Sequence, residues 1–153
     1  MPTSGPPAFD SLVAGTLLPD LVVTPELIDA VQYAAAMWEF QKLHFDPDWA
    51  RAEGLDGPIA QGPLLGNYLA RLVGGWAGPR GRLVRLSWRN RGVAVLGHSL
   101  TCSGRVTGTA PDSRPCMDGS PAGLVRCDLA ITSAAGAPLL AGHAEVLLPR
   151  SSA

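Results

Sequence analysis

One segment of this sequence constrains the fold more than any other: residues 62–76 are apolar on nearly every face of a helix. Leu64, Leu65, Tyr68, Leu69, Leu72, Val73 and Trp76 recur at the i, i+3/i+4 spacing of a helix. Asn67 and Arg71 interrupt the pattern on one side only, and Gly66 and Ala70 bring no polar group. A helix without a polar face has to be covered by the rest of the chain, so this one is expected at the centre of the molecule. Gly62-Pro63 opens it, Gly74-Gly75 loosen its end, and Gly78-Pro79 stop it.

The cover comes from the C-terminal half of the chain. Residues 82–91 alternate, with Leu83, Arg85, Ser87 and Arg89 on one parity and Val84, Leu86, Trp88 and Asn90 on the other. Residues 100–109, 124–132 and 139–148 are further long strand candidates, separated by Gly, Pro, Asp and Ser. Short connections predict an antiparallel meander of about four strands, and the polar stretch 109–123 reads as an exposed loop. Upstream lie a short β-rich run at 17–24 and a helix predicted over 25–37, with Thr24 as N-cap and Pro25 at its first position. Residues 38–43 read as helix or tight turn. Asp46-Pro47 starts a second short helix, ended by Gly54 and Gly57-Pro58. The expected class is α+β, with an antiparallel sheet wrapped around one long buried helix. Residues 1–8 read as a flexible leader and 9–150 as a single domain.

Composition narrows the function classes. The chain has 153 residues and a net charge of −1 with no basic run, which argues against non-specific nucleic-acid binding. The N-terminal residues lack the basic and apolar regions of a signal peptide, and no apolar stretch reaches membrane-spanning length. Cys102, Cys116 and Cys127 are an odd number at no metal-like spacing, so reduced thiols in a cytoplasmic protein are expected, with Cys102 and Cys127 as small core residues. His98 and His143 are separated and have no supporting ligand cluster, so both read as structural, and neither a metal nor a cofactor is expected. There is no phosphate-binding loop, dinucleotide fingerprint or nucleophile elbow.

The chemistry concentrates in residues 39–46, Glu-Phe-Gln-Lys-Leu-His-Phe-Asp. Glu39 and His44 lie among Trp38, Phe40, Leu43 and Phe45, so part of this turn should be buried, where acid–base chemistry becomes possible. An ordinary polar helix end accounts for such a pair equally well. Gly62 is the other candidate. Its N–H stands at the positive end of the long helix with no intrahelical partner, and Pro63 sacrifices no donor there. Such an N–H can hold an oxygen that is becoming an enolate.

Taken together these residues resemble the MaoC-like acyl dehydratase and (R)-specific enoyl-CoA hydratase family, which has the hotdog fold. The family pattern is an acid, any residue, Asn, Pro, an aliphatic, His, any residue, Asp, and then a small residue; Glu39, Leu43, His44, Asp46 and Ala50 correspond here. The family's His-Gly or Gln-Gly at the head of the central helix corresponds to Gln61-Gly62-Pro63, and Gly97-His98-Ser99-Leu100 is similar to its Gly-Asp-Ser/Thr-Leu. The likeness runs from about Phe9 to the C-terminus. Glu39 stands where Asp is usual, and Gln41-Lys42 replaces Asn-Pro. Glu39-Phe40-Gln41 is most similar to small hydratases of steroid side-chain degradation, which pair with a second MaoC-like chain.

The resemblance implies interconversion of a 2-enoyl thioester and a 3-hydroxyacyl thioester, carried by CoA or a carrier protein. Glu39 and His44 would be catalytic, and Gly62, Gln61 and Pro63 would form the oxyanion and substrate-binding site; Arg89 and Arg91 are candidate contacts for carrier phosphates, and an ordinary solvated strand face accounts for them equally well. A dimer is implied, as a homodimer or with a second MaoC-like chain. The departures keep open a retuned or non-catalytic subunit partnering an active paralogue, or a biosynthetic dehydratase or isomerase on a non-CoA substrate. A thioesterase of the same fold is disfavoured because residues 64–76 contain no Asp or Glu.

Overall fold

In a computed structural model of the protein, residues 6–150 are described. The elements run β1 (Leu17–Val23), α1 (Leu27–Met37), α2 (Pro47–Ala52), α3 (Gly62–Ala77), β2 (Arg82–Asn90), β3 (Leu100–Pro111), β4 (Ala122–Ser133) and β5 (Pro138–Pro149). The five strands form one antiparallel sheet in the order β1-β3-β4-β5-β2.

The central helix is where its sequence requires it. Leu64, Leu65, Gly66, Tyr68, Leu69, Leu72, Val73 and Ala77 of α3 are all buried. They pack against the inner face of the sheet, supplied by Leu100, Cys102 and Val106 of β3, Cys127, Leu129 and Ile131 of β4, and Ala144, Val146 and Leu148 of β5. Alternate residues leave by the outer face, where Arg126 and Glu145 pair at 3.3 Å. Close approach depends on Gly142 in β5: a Cβ there would stand 2.8 Å from the Ser87 carbonyl oxygen and 3.2 Å from Leu69 Cδ1.

The meander holds only for β3, β4 and β5. β2 does not pair with β3; it crosses to the far edge and pairs with β5. The segment after β2 accounts for this. Instead of turning back as a hairpin, it runs along the approach to α3, with Ala60 N–H donating to Ala94 O at 2.8 Å and Leu96 N–H to Pro58 O at 2.9 Å. The chain therefore reaches β3 only after passing the head of α3. Within β2 the register shifts between Leu83 and Arg85. That bulge exchanges the parities, so Leu83 packs on the core before it and Leu86 after it, and Trp88 lies against Gly66 of α3.

Other boundaries move for local reasons. α1 begins at Leu27 because Glu26, not Thr24, caps it; the Glu26 N–H donates to Asp29 Oδ2 at 2.8 Å. The stretch read as a loop at 109–123 is shorter, since strand continues to Pro111 and resumes at Ala122. Its middle is tied down by buried Cys116, which packs with Ala122, Leu124 and Leu147. Of the expected leader, residues 1–5 lie outside the described residues, while Pro6 packs against Gly78. No described helix is long and apolar enough to cross a membrane.

Candidate active site

α1 ends abruptly. Trp38 takes the left-handed conformation at φ 55°, ψ 38°, the only described non-glycine residue with positive φ, and the Glu39 N–H closes onto Ala34 O at 2.9 Å. A bulky residue in that region costs roughly 1–3 kcal/mol, a strain that concentrates at functional sites. Trp38 and Phe40, on either side of Glu39, pack edge to face with centroids 5.3 Å apart. Glu39 itself is half-buried. The predicted helix or tight turn at 38–43 is thus a left-handed cap, an extended Gln41 and a 3-10 turn at Lys42–His44.

His44 closes that turn and is buried. The Ile59 N–H donates to Leu43 O at 3.2 Å, and His44 Nδ1 lies 2.8 Å from Ile59 O. A carbonyl oxygen only accepts, so Nδ1 carries a proton and donates it to Ile59 O, which leaves Nε2 as the ring nitrogen that can take up or release one. Asp46 caps α2, accepting at Oδ1 from the N–H groups of Asp48 and Trp49, both at 3.1 Å. Ala50 is fully buried, and the ammonium of Lys42 stands 4.9 Å from the Trp49 ring centroid. These contacts hold the His44 turn against residues 58–60, which lead into α3. Among the described residues no hydrogen bond or ion pair joins Glu39 directly to His44.

At the head of α3, Gln61 is the N-cap and Gly62 the first helical residue, with Pro63 next and exposed. The first intrahelical bond runs from Leu65 N–H to Gln61 O at 3.1 Å, which leaves the Gly62 N–H without an intrahelical acceptor. The Gln61 side chain turns inward. It is 1% exposed, its Nε2 donates to Ala30 O of α1 at 2.9 Å, and its Oε1 is buried without a partner among the described residues. Gln61 therefore ties α1, which leads to Glu39, to the start of α3.

The arginines expected at carrier phosphates are less concentrated on this spot. Arg89 shares the outer parity of β2 with Arg85 and Ser87, opposite Trp88, and Arg91 lies just past the strand, its N–H donating to Leu139 O at 2.8 Å. Arg85 and Ser87 border an outer cleft of about 300 Å³ with Arg126, His143 and Glu145. In it His143 Nδ1 contacts Asp128 Oδ1 at 2.8 Å, so this histidine is an exposed cross-strand partner. His98 is exposed as well. Among the described residues no group of three or more His, Cys, Asp or Glu could hold a metal ion. Burial raises the thiol pKa of Cys102 and of Cys127 to about 11, which suits inert core residues.

No protein-family model matches the sequence, and no curated protein does. Solved structures do. The (R)-hydratase from A. caviae involved in PHA biosynthesis aligns over 91% of this chain and 98% of its own, with 24% identity and a TM-score of 0.78. This is the fold of the MaoC-like dehydratases and (R)-hydratases. The MaoC-like dehydratase from Rhodospirillum rubrum matches over 95% of this chain and 99% of its own, with 19% identity and a TM-score of 0.76. A chain of the ChsH1-ChsH2 complex from Mycobacterium tuberculosis matches over 89% and 98%, with 24% identity and a TM-score of 0.74. The expected α+β hotdog architecture is therefore the observed one.

Proposed function

We propose that this chain is a hydratase/dehydratase that interconverts a 2-enoyl thioester and a 3-hydroxyacyl thioester. The observation that carries this reading is the clamp of buried His44 on Ile59 O, only three residues in sequence before Gly62, whose N–H has no intrahelical acceptor. That combination supplies a base and an oxyanion donor, the two functions the reaction needs.

In hydration, a water held between Glu39 and His44 gives a proton to Nε2 of His44 as its oxygen bonds to C3. The C2–C3 π electrons move toward the carbonyl, and the resulting enolate oxygen is held by the Gly62 N–H. The imidazolium then returns a proton to C2 on the same face, and the carbonyl re-forms. Glu39 accepts a hydrogen bond from the water's other hydrogen and balances the imidazolium charge. Dehydration reverses these steps. Gln61 and Pro63 serve by placing Gly62, while Arg89 and Arg91 meet the carrier's phosphates from the β2 side. No cofactor takes part.

Partnering is proposed through β2, an edge strand hydrogen-bonded on one side only, with a second copy or another MaoC-like chain. Incubating the purified chain with 2-enoyl-CoA esters of varied length tests the reading, through loss of enoyl absorbance and a product heavier by one water. Absence of turnover on every ester, alone and with a candidate partner chain, removes it.

A further inference from the structure

Asn90 is the last residue of β2, and no part of its sequence context marks it out. The bulge between Leu83 and Arg85 places it on the inner parity with Leu86 and Trp88, facing α3. There its amide meets Gly62. A Cβ built on Gly62 would overlap Asn90 Nδ2 and stand 3.3 Å from Cγ and 3.5 Å from Oδ1. The glycine thus admits a side-chain amide to the head of the helix.

The direction of approach matters. Cα–Cβ bonds of a helix tilt toward its N-terminus, so an atom at the Gly62 Cβ position stands on the rim of α3 to which the Gly62 N–H opens. The Asn90 side chain has no hydrogen-bond partner among the described residues. Its backbone is nevertheless fixed. Asn90 pairs with Leu140, and the N–H groups of Arg91 and Gly92 both donate to Leu139 O, at 2.8 and 3.2 Å. A few residues further on, Ala94 O accepts from the Ala60 N–H, two positions before Gly62. The amide is exposed at the strand end and is held by no other described group, so it can turn toward an oxygen at the Gly62 N–H, where a second donor would stabilise charge developing during a reaction.

We infer that Asn90 is a second oxyanion donor: its Nδ2–H and the Gly62 N–H together hold the thioester carbonyl oxygen as it becomes an enolate. The inference rests on the thioester reading above and adds a catalytic residue to it. The competing role is packing alone, in which Asn90 merely fills the space beside Gly62. Aspartate is nearly isosteric with asparagine, so Asn90→Asp keeps the packing, removes the donor and sets an acceptor against the oxyanion.

The test is the spectrum of bound 2,4-hexadienoyl-CoA, whose absorbance moves to longer wavelength when its carbonyl oxygen gains charge, read in wild type, His44→Asn, Asn90→Ala and Asn90→Asp. Wild type and His44→Asn should give the red shift, Asn90→Ala a smaller one, and Asn90→Asp the smallest. Hydration by Asn90→Asp should fall about 10²–10³-fold in kcat with a much smaller change in KM, the loss expected for one missing oxyanion donor. An undiminished shift and wild-type kcat in Asn90→Asp would overturn the role of Asn90 and leave the thioester reading standing. Absence of binding and of any shift in wild type would overturn the thioester reading and this inference with it.

Discussion

The Nδ1–H of His44 donates to the carbonyl oxygen of Ile59 across 2.8 Å, so one backbone oxygen decides which face of the imidazole is basic. Asparagine reproduces an Nδ1-like donor but has no basic nitrogen. His44→Asn should keep the native circular dichroism and melting temperature within a few degrees while hydration falls at least about 10²-fold. His44→Ala should lose the same activity and in addition melt lower, because Ile59 O then has no donor.

Glu39 stands directly after a left-handed Trp38, so its side chain leaves from a backbone that has already turned out of α1. Glu39→Gln should lower kcat about 10²-fold or more, because the amide can still hold a water but cannot balance an imidazolium charge. Glu39→Asp withdraws the carboxylate by one methylene and should cost about tenfold, since misplacement of this size is punished in catalysis. Steady-state kinetics of the two variants on one 2-enoyl-CoA would order them.

Gly66 lies under Trp88, where a Cβ would stand 2.5–2.7 Å from three indole carbons. Trp88 is 39% exposed, but its rigid indole lies on the helix and has to swing away as a whole to make room. Gly66→Ala should destabilise by about 1–3 kcal/mol, or roughly 2–9 °C in melting temperature for a domain of this size. Gly62→Ala meets only the Asn90 side chain, so it should melt near wild type and fail instead in turnover.

Gln61 is buried with one good bond and one orphan acceptor. Gln61→Leu removes both the bond to Ala30 O and the unsatisfied oxygen, so its cost should stay within about 1–2 kcal/mol. Gln61→Glu keeps the shape but puts an ionisable group in the same place, and should be the less stable variant at pH 7 and recover as pH falls. Chemical denaturation at two pH values separates them.

Hydrogen bonds from Ser120 and then Arg80 lower the Asp118 carboxyl to about 2, and Arg114 holds Asp112 at about 2 by the same kind of contact. Both folded values lie below the unfolded one of about 3.9. Their contribution is therefore complete above that value and fades as pH drops toward 2. Asp118 is exposed, and Asp112, though half-buried, pairs with an exposed Arg114, so the effect should be small. Asp118→Asn should show a shallower loss of melting temperature between pH 4 and pH 2 than wild type.

Elements whose information is local were legible in the sequence. α3 was, because no other placement suits a helix apolar all round, and α2 was, because Asp46-Pro47 carries its own cap. The placement of β2 was not legible. Its pairing with β5 depends on a segment that adheres to residues 58–60, far away in sequence. Glu26 displaced Thr24 as cap because Asp29 reaches back to it, an exchange that competes on equal terms in sequence. At the site, His44 was marked by its motif, but its anchor is a backbone oxygen and carries no residue signature. The contact of Asn90 with Gly62 arises from the β2 bulge, which alternation alone does not reveal.

The most direct test of the central claim is hydration of 2-butenoyl-CoA by wild type, Glu39→Gln and His44→Asn, each shown to be folded. The proposed mechanism predicts turnover by wild type and at least about a 10²-fold loss in each variant. Folded variants that hydrate the ester at the wild-type rate would contradict it.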